Sequence, residues 1–192
     1  MNVKQVDYNS KTAGEDLVTS LHESGFAVLS GSPITPERID AFYKLWADFF
    51  AGREKHDYTF EPSKQDGYFP FRSENAKDAA AKDLKEFYHV YPWGKVPASV
   101  EVETRAFYAD LQTLGSELLN WIQTHTPYVV TNNFFEPLDS MIADSEQSLL
   151  RVLHYPPIDG KIEPGAVRAA AHEDINLITL LVSGSQPGLE AK

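Results

Sequence analysis

The feature that most constrains the fold is a long segment with one apolar face, between Ser99 and Thr126. Its apolar residues recur three to four positions apart: Phe107, Leu111, Leu114, Leu118 and Trp121. This spacing predicts one long amphipathic helix, which Pro127 ends. A helix of this length with a single apolar stripe usually packs against a sheet. The sequence therefore predicts a scaffold helix that supports other elements.

Two further helices are predicted upstream of it. Apolar residues at helical spacing predict a helix over residues 14–24, which Gly25 ends. Thr35 and Pro36 suit the start of the next helix. Its apolar stripe is largely aromatic: Ile39, Phe42, Tyr43, Trp46, Phe49 and Phe50. Between the two helices, the apolar run 26–29 predicts a short buried strand.

The later part of the chain is predicted to contain strands. Residues 86–91, 148–155 and 177–182 are short apolar runs bounded by proline or glycine, which favours strands. Residues 67–71 are predicted as an aromatic turn, and the Ala- and Lys-rich stretch 75–85 as a helix. Helices thus precede strands, an order typical of the α+β class.

Aromatic residues are concentrated in one part of the chain. Fourteen of the 23 lie between Phe42 and Trp93. Such a cluster is more often core packing than the rim of a site for an apolar ligand, and both interpretations stay open here.

The composition excludes several functions. Seventeen Lys and Arg against 28 Asp and Glu give a net charge of −11, which repels phosphate backbones and anionic lipids. Neither nucleic acid nor a membrane is therefore expected as a partner. The chain has no cysteine, so any metal ion must be bound by His, Asp or Glu. Without a secretory signal in MNVKQVDYNS or an apolar run long enough for a span, a cytoplasmic location is expected.

One short segment has a metal-binding pattern, Ala171-His172-Glu173-Asp174. In an extended backbone alternate side chains share a face, so His172 and Asp174 point the same way. They can supply two ligands of a 2-His-1-carboxylate site, which binds Fe(II) and leaves positions open. By chance a His-x-Asp pattern is expected about 0.4 times in a chain of this composition. An ordinary surface pair therefore stays open as the alternative.

Several segments together resemble the Fe(II)- and 2-oxoglutarate-dependent oxygenases, especially the branch that contains isopenicillin N synthase. Residues 172–181 are similar to the iron-binding strand of that family, and residues 150–157 to its Arg-Val…Tyr-Pro strand. Four segments nearer the start resemble the N-terminal helical region of the branch in order and spacing: residues 25–29, 49–55, 67–68 and 85–90.

The resemblance implies a fold, an activity and site residues. Residues 1–127 would form an N-terminal helical region packed on a double-stranded β-helix (jelly-roll) core, whose first strands lie in 128–192, as one structural domain. His172 and Asp174 match the first two iron ligands, and Tyr155 matches a tyrosine that binds a cosubstrate or substrate carboxylate. The implied activity is oxidation of a small molecule by dioxygen, with Fe(II) as metal and 2-oxoglutarate as cosubstrate.

Two arginines are candidates for binding an anionic group of the substrate. If Tyr155 faces the site, alternation puts Arg151 on the same face and His154 on the other, so His154 is not expected to be a ligand. Extending the iron-binding strand backwards puts Arg168 on the face of His172. An arginine on a strand is as often solvated or ion-paired, and that alternative stays open.

The sequence departs from the family pattern after residue 174. No histidine follows His172, and no arginine that could bind the distal carboxylate of 2-oxoglutarate follows either. The β-helix core is therefore expected to be truncated, with open strand edges that favour self-association. Two hypotheses result: an oxygenase of this family, or a catalytically incompetent fragment or interaction module that retains two of three iron ligands.

Overall fold

The long predicted helix is confirmed as α3, Glu101–His125. The computed structural model describes residues 3–74, 81–158, 160–174 and 176–190. The other helices are α1 (Ala13–Ser24), α2 (Pro36–Ala51), α4 (Tyr128–Thr131) and α5 (Ser140–Ala143), with a 3₁₀ helix at Glu54–Tyr58. The strands are β1 (Gln5–Asp7), β2 (Val28–Ser30), β3 (Gly67–Phe69), β4 (Glu86–Val90) and β5 (Leu150–His154).

The N-terminal predictions are largely confirmed. Helix α1 ends at Gly25, which adopts a left-handed φ of 75° and donates its N–H to the Leu21 carbonyl at 2.8 Å. The strand that follows is present as β2 and pairs in parallel with β1. The prediction that this strand is buried was wrong, because β2 lies at the edge of a two-stranded sheet and Val28 remains 55% exposed.

The chain forms two compact units, and the first contains described residues within 1–40, 109–145 and 178–192. Its core joins α1, β1 and α3 through five buried residues: Val6, Ala13, Leu17, Leu114 and Leu118. The strand predicted over 177–182 was wrong, since this segment belongs to neither described sheet. A strand needs the backbone groups of a neighbouring strand, and Leu180 packs against the helical core of this unit instead.

The second unit contains described residues within 41–108 and 146–177. Its antiparallel sheet has the order β3-β4-β5, which confirms the strands predicted near 86–91 and 148–155. The aromatic turn predicted over 67–71 was wrong, because residues 67–69 pair with β4. The helix predicted over 75–85 is absent from residues 81–85, and residues 75–80 lie outside the described ranges.

The aromatic cluster is mostly core packing. Eight of its residues are buried in the second unit: Phe42, Trp46, Phe49, Phe50, Tyr68, Phe69, Phe87 and Tyr88. The order of elements along the chain mixes helices and strands, in agreement with the α+β prediction. None of the helices in the described ranges combines the length and the apolarity that a membrane span requires.

Candidate metal and substrate site

Strand β4 separates two groups of polar side chains. All five of its residues are buried, although its sequence Glu86-Phe87-Tyr88-His89-Val90 contains a carboxylate and an imidazole. Because side chains alternate along a strand, Glu86 and His89 lie on opposite faces. Both need partners, since burying an unpaired polar group is costly.

Glu86 is the acceptor of a buried hydrogen-bond cluster. It accepts from Lys55 Nζ at 2.9 Å, from His154 Nδ1 at 2.8 Å and from the Tyr68 hydroxyl. Burial pushes the pKa of Glu86 upward, but the hydrogen bonds from Tyr68, His154 and Lys55 together lower its pKa below the ordinary value. His154 also stacks on Phe50 at a centroid distance of 5.1 Å. The structure thus gives His154 a packing and hydrogen-bonding role.

The opposite face of the sheet combines stacked rings with cations. Phe60, Phe69 and Phe87 stack in sequence, with centroid distances of 4.0 and 4.4 Å. The Arg151 guanidinium lies 4.9 Å from the centroid of Phe87, and Lys85 Nζ lies 5.7 Å from it. A cation over a ring face is favoured by the ring quadrupole. Arg151 thus lies against an aromatic surface, and its side chain is 35% exposed.

His89 orients Arg151. The imidazole is 5% exposed, donates from Nδ1 to the Gln65 carbonyl at 2.9 Å and accepts at Nε2 from Arg151 Nε at 2.8 Å. Gln65 adopts a left-handed φ of 64°, which a non-glycine residue rarely does. Burial, and secondly the charge of Arg151, lower the pKa of His89 to about 4. His89 is therefore neutral near pH 7 and can act as an acceptor.

The depressed pKa of His89 predicts a pH-dependent stability. The unfolded chain takes up a proton near pH 6.5 but the folded chain only near pH 4, so acid favours unfolding between these values. We expect this step to lower the free energy of unfolding by about 3 kcal/mol across that window. His89→Gln should remove the slope in urea unfolding, whereas His22→Gln should keep it. Equal slopes in wild type and His89→Gln would contradict the assignment.

Tyr155 and Arg168 lie beside the same charged groups. Burial raises the pKa of Tyr155, and the charges of Lys85, Asp83, Arg151 and Arg168 are close enough to act on its hydroxyl. Arg168 Nη1 donates to the Pro156 carbonyl at 3.1 Å. Arg151 and Arg168, which the sequence suggested for binding an anionic group, thus lie within electrostatic range of Tyr155.

His172 and Asp174 lie close together, in an irregular segment rather than on the predicted extended strand. His172 Nε2 and Asp174 Oδ1 are 3.6 Å apart, and both side chains are about half exposed. His172 Nδ1 donates to the Ala170 carbonyl at 2.9 Å, which leaves Nε2 as the nitrogen available to a metal ion. Two bonds of about 2.1 Å can span this separation. An imidazole and a carboxylate are donors that suit Fe(II).

The described residues supply two ligands at this position, His172 and Asp174. Within the described ranges, no cluster of three or more His, Asp or Glu side chains has a metal-binding arrangement. The donor set therefore fits a divalent transition metal through one nitrogen and one oxygen of this chain.

Pro156, the residue after Tyr155 in the chain, lines a cavity of about 370 Å³. Its apolar lining includes Phe71, Leu84 and Pro156, and its polar lining includes Arg72, Lys161 and Glu163. Arg72 has a φ of 62° and pairs with Glu163 at 2.9 Å. The volume of this cavity lies at the lower end of the range of small-molecule sites.

Sequence reasoning missed four residues that organise this region: Glu74, Asp83, Lys85 and His89. Lys85 pairs with Asp83 at 2.9 Å and with Glu74 at 3.2 Å, and Glu74 lies 3.7 Å from Arg151. A signal was available, because two charges and a histidine interrupt the apolar stretch 84–90. Polar residues in a buried strand require partners, even when the sequence does not identify them.

Three comparisons with known proteins bear on the chain. The family described as the N-terminal region of non-haem dioxygenases in morphine synthesis matches residues 4–108. The 2-oxoglutarate-dependent dioxygenase frbA of Dothideomycetidae sp. (strain 11243) is 24% identical over all of this chain and 66% of its own length. A Shewanella oneidensis crystal structure, described as that of an oxygenase, is 45% identical, covers 92% of this chain and superposes with a TM-score of 0.81.

A more distant structure shares the fold. A Neurospora crassa protein, crystallised in complex with alpha-KG, is 23% identical, covers 85% of this chain and has a TM-score of 0.64. The chain spans 63% of the length of the Shewanella protein and 58% of the Neurospora protein. About a third or more of each relative thus lies outside the matched region.

Proposed function

Because this chain belongs to the non-haem dioxygenase N-terminal family, within the Fe(II)- and 2-oxoglutarate-dependent oxygenases, we propose that it is part of such an oxygenase. The observation that carries this proposal is the His172–Asp174 pair, with Nε2 and Oδ1 3.6 Å apart. Residues 128–192 would supply the first strands of the double-stranded β-helix core. The relatives are named as oxygenases, so they do not favour the alternative of an interaction module.

His172 and Asp174 would hold Fe(II) in this proposal. The metal, when bound, supplies the redox chemistry that activates dioxygen, with 2-oxoglutarate as cosubstrate. The Ala170 carbonyl keeps the His172 proton on Nδ1 and so holds Nε2 in the form that binds a metal. The two atoms that would coordinate the divalent cation are the imidazole Nε2 of His172 and the carboxylate Oδ1 of Asp174.

The substrate proposed is a small molecule with an anionic group and an apolar body. Arg151 and Arg168 would bind the anionic group, and the cavity beside Pro156 would take the apolar part. The Tyr155 hydroxyl is protonated near neutral pH, and burial raises its pKa further, so it can donate a hydrogen bond to a carboxylate of the cosubstrate or substrate. Hydroxylation, desaturation and ring closure are all reactions that such a site supports.

Anaerobic titration with Fe(II), with and without 2-oxoglutarate, tests this proposal. We expect the visible charge-transfer band of chelated 2-oxoglutarate in the wild-type chain, because His172 and Asp174 provide two ligands. His172→Ala should lose the band, whereas His22→Ala, which removes an exposed histidine elsewhere, should keep it. A band that survives His172→Ala, or a wild-type chain that binds no Fe(II), would overturn the proposal.

A further inference from the structure

The segment that carries His172 is joined to residues 83–85 by two hydrogen bonds, and an ion pair within 83–85 supports one of them. Asp83 Oδ1 accepts the backbone N–H of Ala170 at 3.2 Å, and the Leu84 N–H donates to the Val167 carbonyl at 2.9 Å. The other carboxylate oxygen, Asp83 Oδ2, accepts from Lys85 Nζ at 2.9 Å. The side chains of Asp83 and Lys85 are only 3% and 7% exposed.

Stability alone does not explain the buried ion pair between Asp83 and Lys85. Two charges lose their hydration when they are buried, so an apolar replacement of similar size is often equally stable or more so. What the carboxylate provides is two acceptor oxygens in a fixed plane. One oxygen is held by Lys85 and the other is thereby aimed at the Ala170 amide.

Ala170 connects Asp83 to the proposed ligand His172. The same residue that donates its N–H to Asp83 accepts at its carbonyl from His172 Nδ1. Asp83 therefore fixes both the position of this backbone and, through the carbonyl, the orientation of the imidazole. Outer groups that orient a ligating histidine commonly change metal affinity by 10- to 100-fold.

We propose that Asp83 and Lys85 form a clasp that positions His172 and Asp174 for metal binding before the metal arrives. Asp83 is a positioning residue in this proposal, since it contacts the backbone and not the metal. The inference rests on the proposed function in taking His172 and Asp174 as the ligands. It adds that their geometry depends on a buried ion pair about 90 residues earlier in the chain.

Two substitutions separate the hydrogen bond from the charge. Asp83→Ala removes both, whereas Asp83→Asn keeps an Oδ1 acceptor for Ala170 and loses the charge that pairs with Lys85. The matched control is Asp66→Ala: Asp66 is also buried, at 7% exposed, and accepts a backbone N–H, from Lys95 at 3.0 Å. Thermal unfolding of each variant of the 192-residue chain verifies that it folds.

The first measurement is amide hydrogen exchange over residues 167–174 in the metal-free chain. We expect exchange there to become about ten-fold faster in Asp83→Ala, to change less in Asp83→Asn and to stay unchanged in Asp66→Ala. The second is Fe(II) affinity under anaerobic conditions, which should fall about ten-fold or more in Asp83→Ala and recover in part in Asp83→Asn.

The outcomes distinguish the clasp from the proposed function. Unchanged exchange in Asp83→Ala, or the same increase in Asp66→Ala, overturns the clasp whatever the metal does. If His172→Ala abolishes Fe(II) binding and Asp83→Ala does not weaken it, the clasp is overturned and the oxygenase proposal stands. If the wild-type chain binds no Fe(II), the oxygenase proposal fails, while local exchange in Asp83→Ala still decides whether the clasp holds this segment.

Discussion

Glu86→Gln should lower the free energy of unfolding by about 3–5 kcal/mol, because it leaves a buried cation without its counter-charge. Glu86 is 4% exposed and the Lys55 side chain 15%, and Lys55 Nζ lies 2.9 Å from Glu86 Oε2. The glutamine amide also places donor hydrogens where Lys55, His154 and Tyr68 already donate. Urea unfolding of both proteins near neutral pH measures the difference.

Glu61→Gln is the matched control for this prediction. It makes the same chemical change in an exposed pair, where Glu61 and Lys64 are 3.0 Å apart and about half exposed. Solvent-exposed pairs of this kind contribute little to stability, so this variant should remain close to wild type. Equal losses in the two variants would show that the Glu86 cluster contributes no more than a surface pair.

The same cluster predicts a dependence on pH with a definite sign. The pKa of Glu86 is lowered from 4.5 in the folded chain, so its stabilising effect is fully present above that value. The effect is lost as the pH falls through the folded pKa. The difference between wild type and Glu86→Gln should therefore narrow as the pH is lowered below 4.5. A constant difference through this range would contradict a charged, hydrogen-bonded Glu86.

Elements whose signals are local were predictable from the sequence. The three long helices follow from apolar periodicity, and the left-handed Gly25 follows from the freedom of glycine at a helix end. Strands were less predictable, because they depend on a neighbour. Residues 67–69 pair with β4 and became a strand, while residues 177–182 pair with no described strand and did not.

In the candidate site, too, features with a local sequence signal were predictable and features that depend on distant residues were not. Sequence alternation on β5 separates Arg151 from His154, and the structure places them with different partners, Arg151 with His89 and His154 with Glu86. The partners themselves could not be predicted, since they lie 62 and 68 residues away along the chain. Asp83 was overlooked for the same reason, although it contacts the segment that carries the proposed ligands.

Trp46→Ala should lower the free energy of unfolding by about 3–5 kcal/mol, because it opens a cavity at the centre of the second unit. Trp46 is 1% exposed and packs against Phe49, Phe50 and Tyr88 at centroid distances of 5.1 to 5.8 Å. Tyr88 lies on β4, so this packing supports the strand that carries both Glu86 and His89. Urea unfolding followed by circular dichroism measures the loss.

Two further tryptophan variants make the measurement specific. Trp46→Phe keeps a ring but removes the donor to Thr104 Oγ1, which lies 3.1 Å away and is fully buried, so an intermediate loss of about 1–3 kcal/mol is expected. Trp93→Ala removes the same side chain from a position that is 44% exposed and should cost less than Trp46→Ala. Trp46 contacts Tyr88, on the face of β4 opposite His89. The Trp46 variants therefore weaken the packing of the sheet without replacing a residue of the proposed site. A loss in Trp93→Ala as large as in Trp46→Ala would show that burial does not decide the difference.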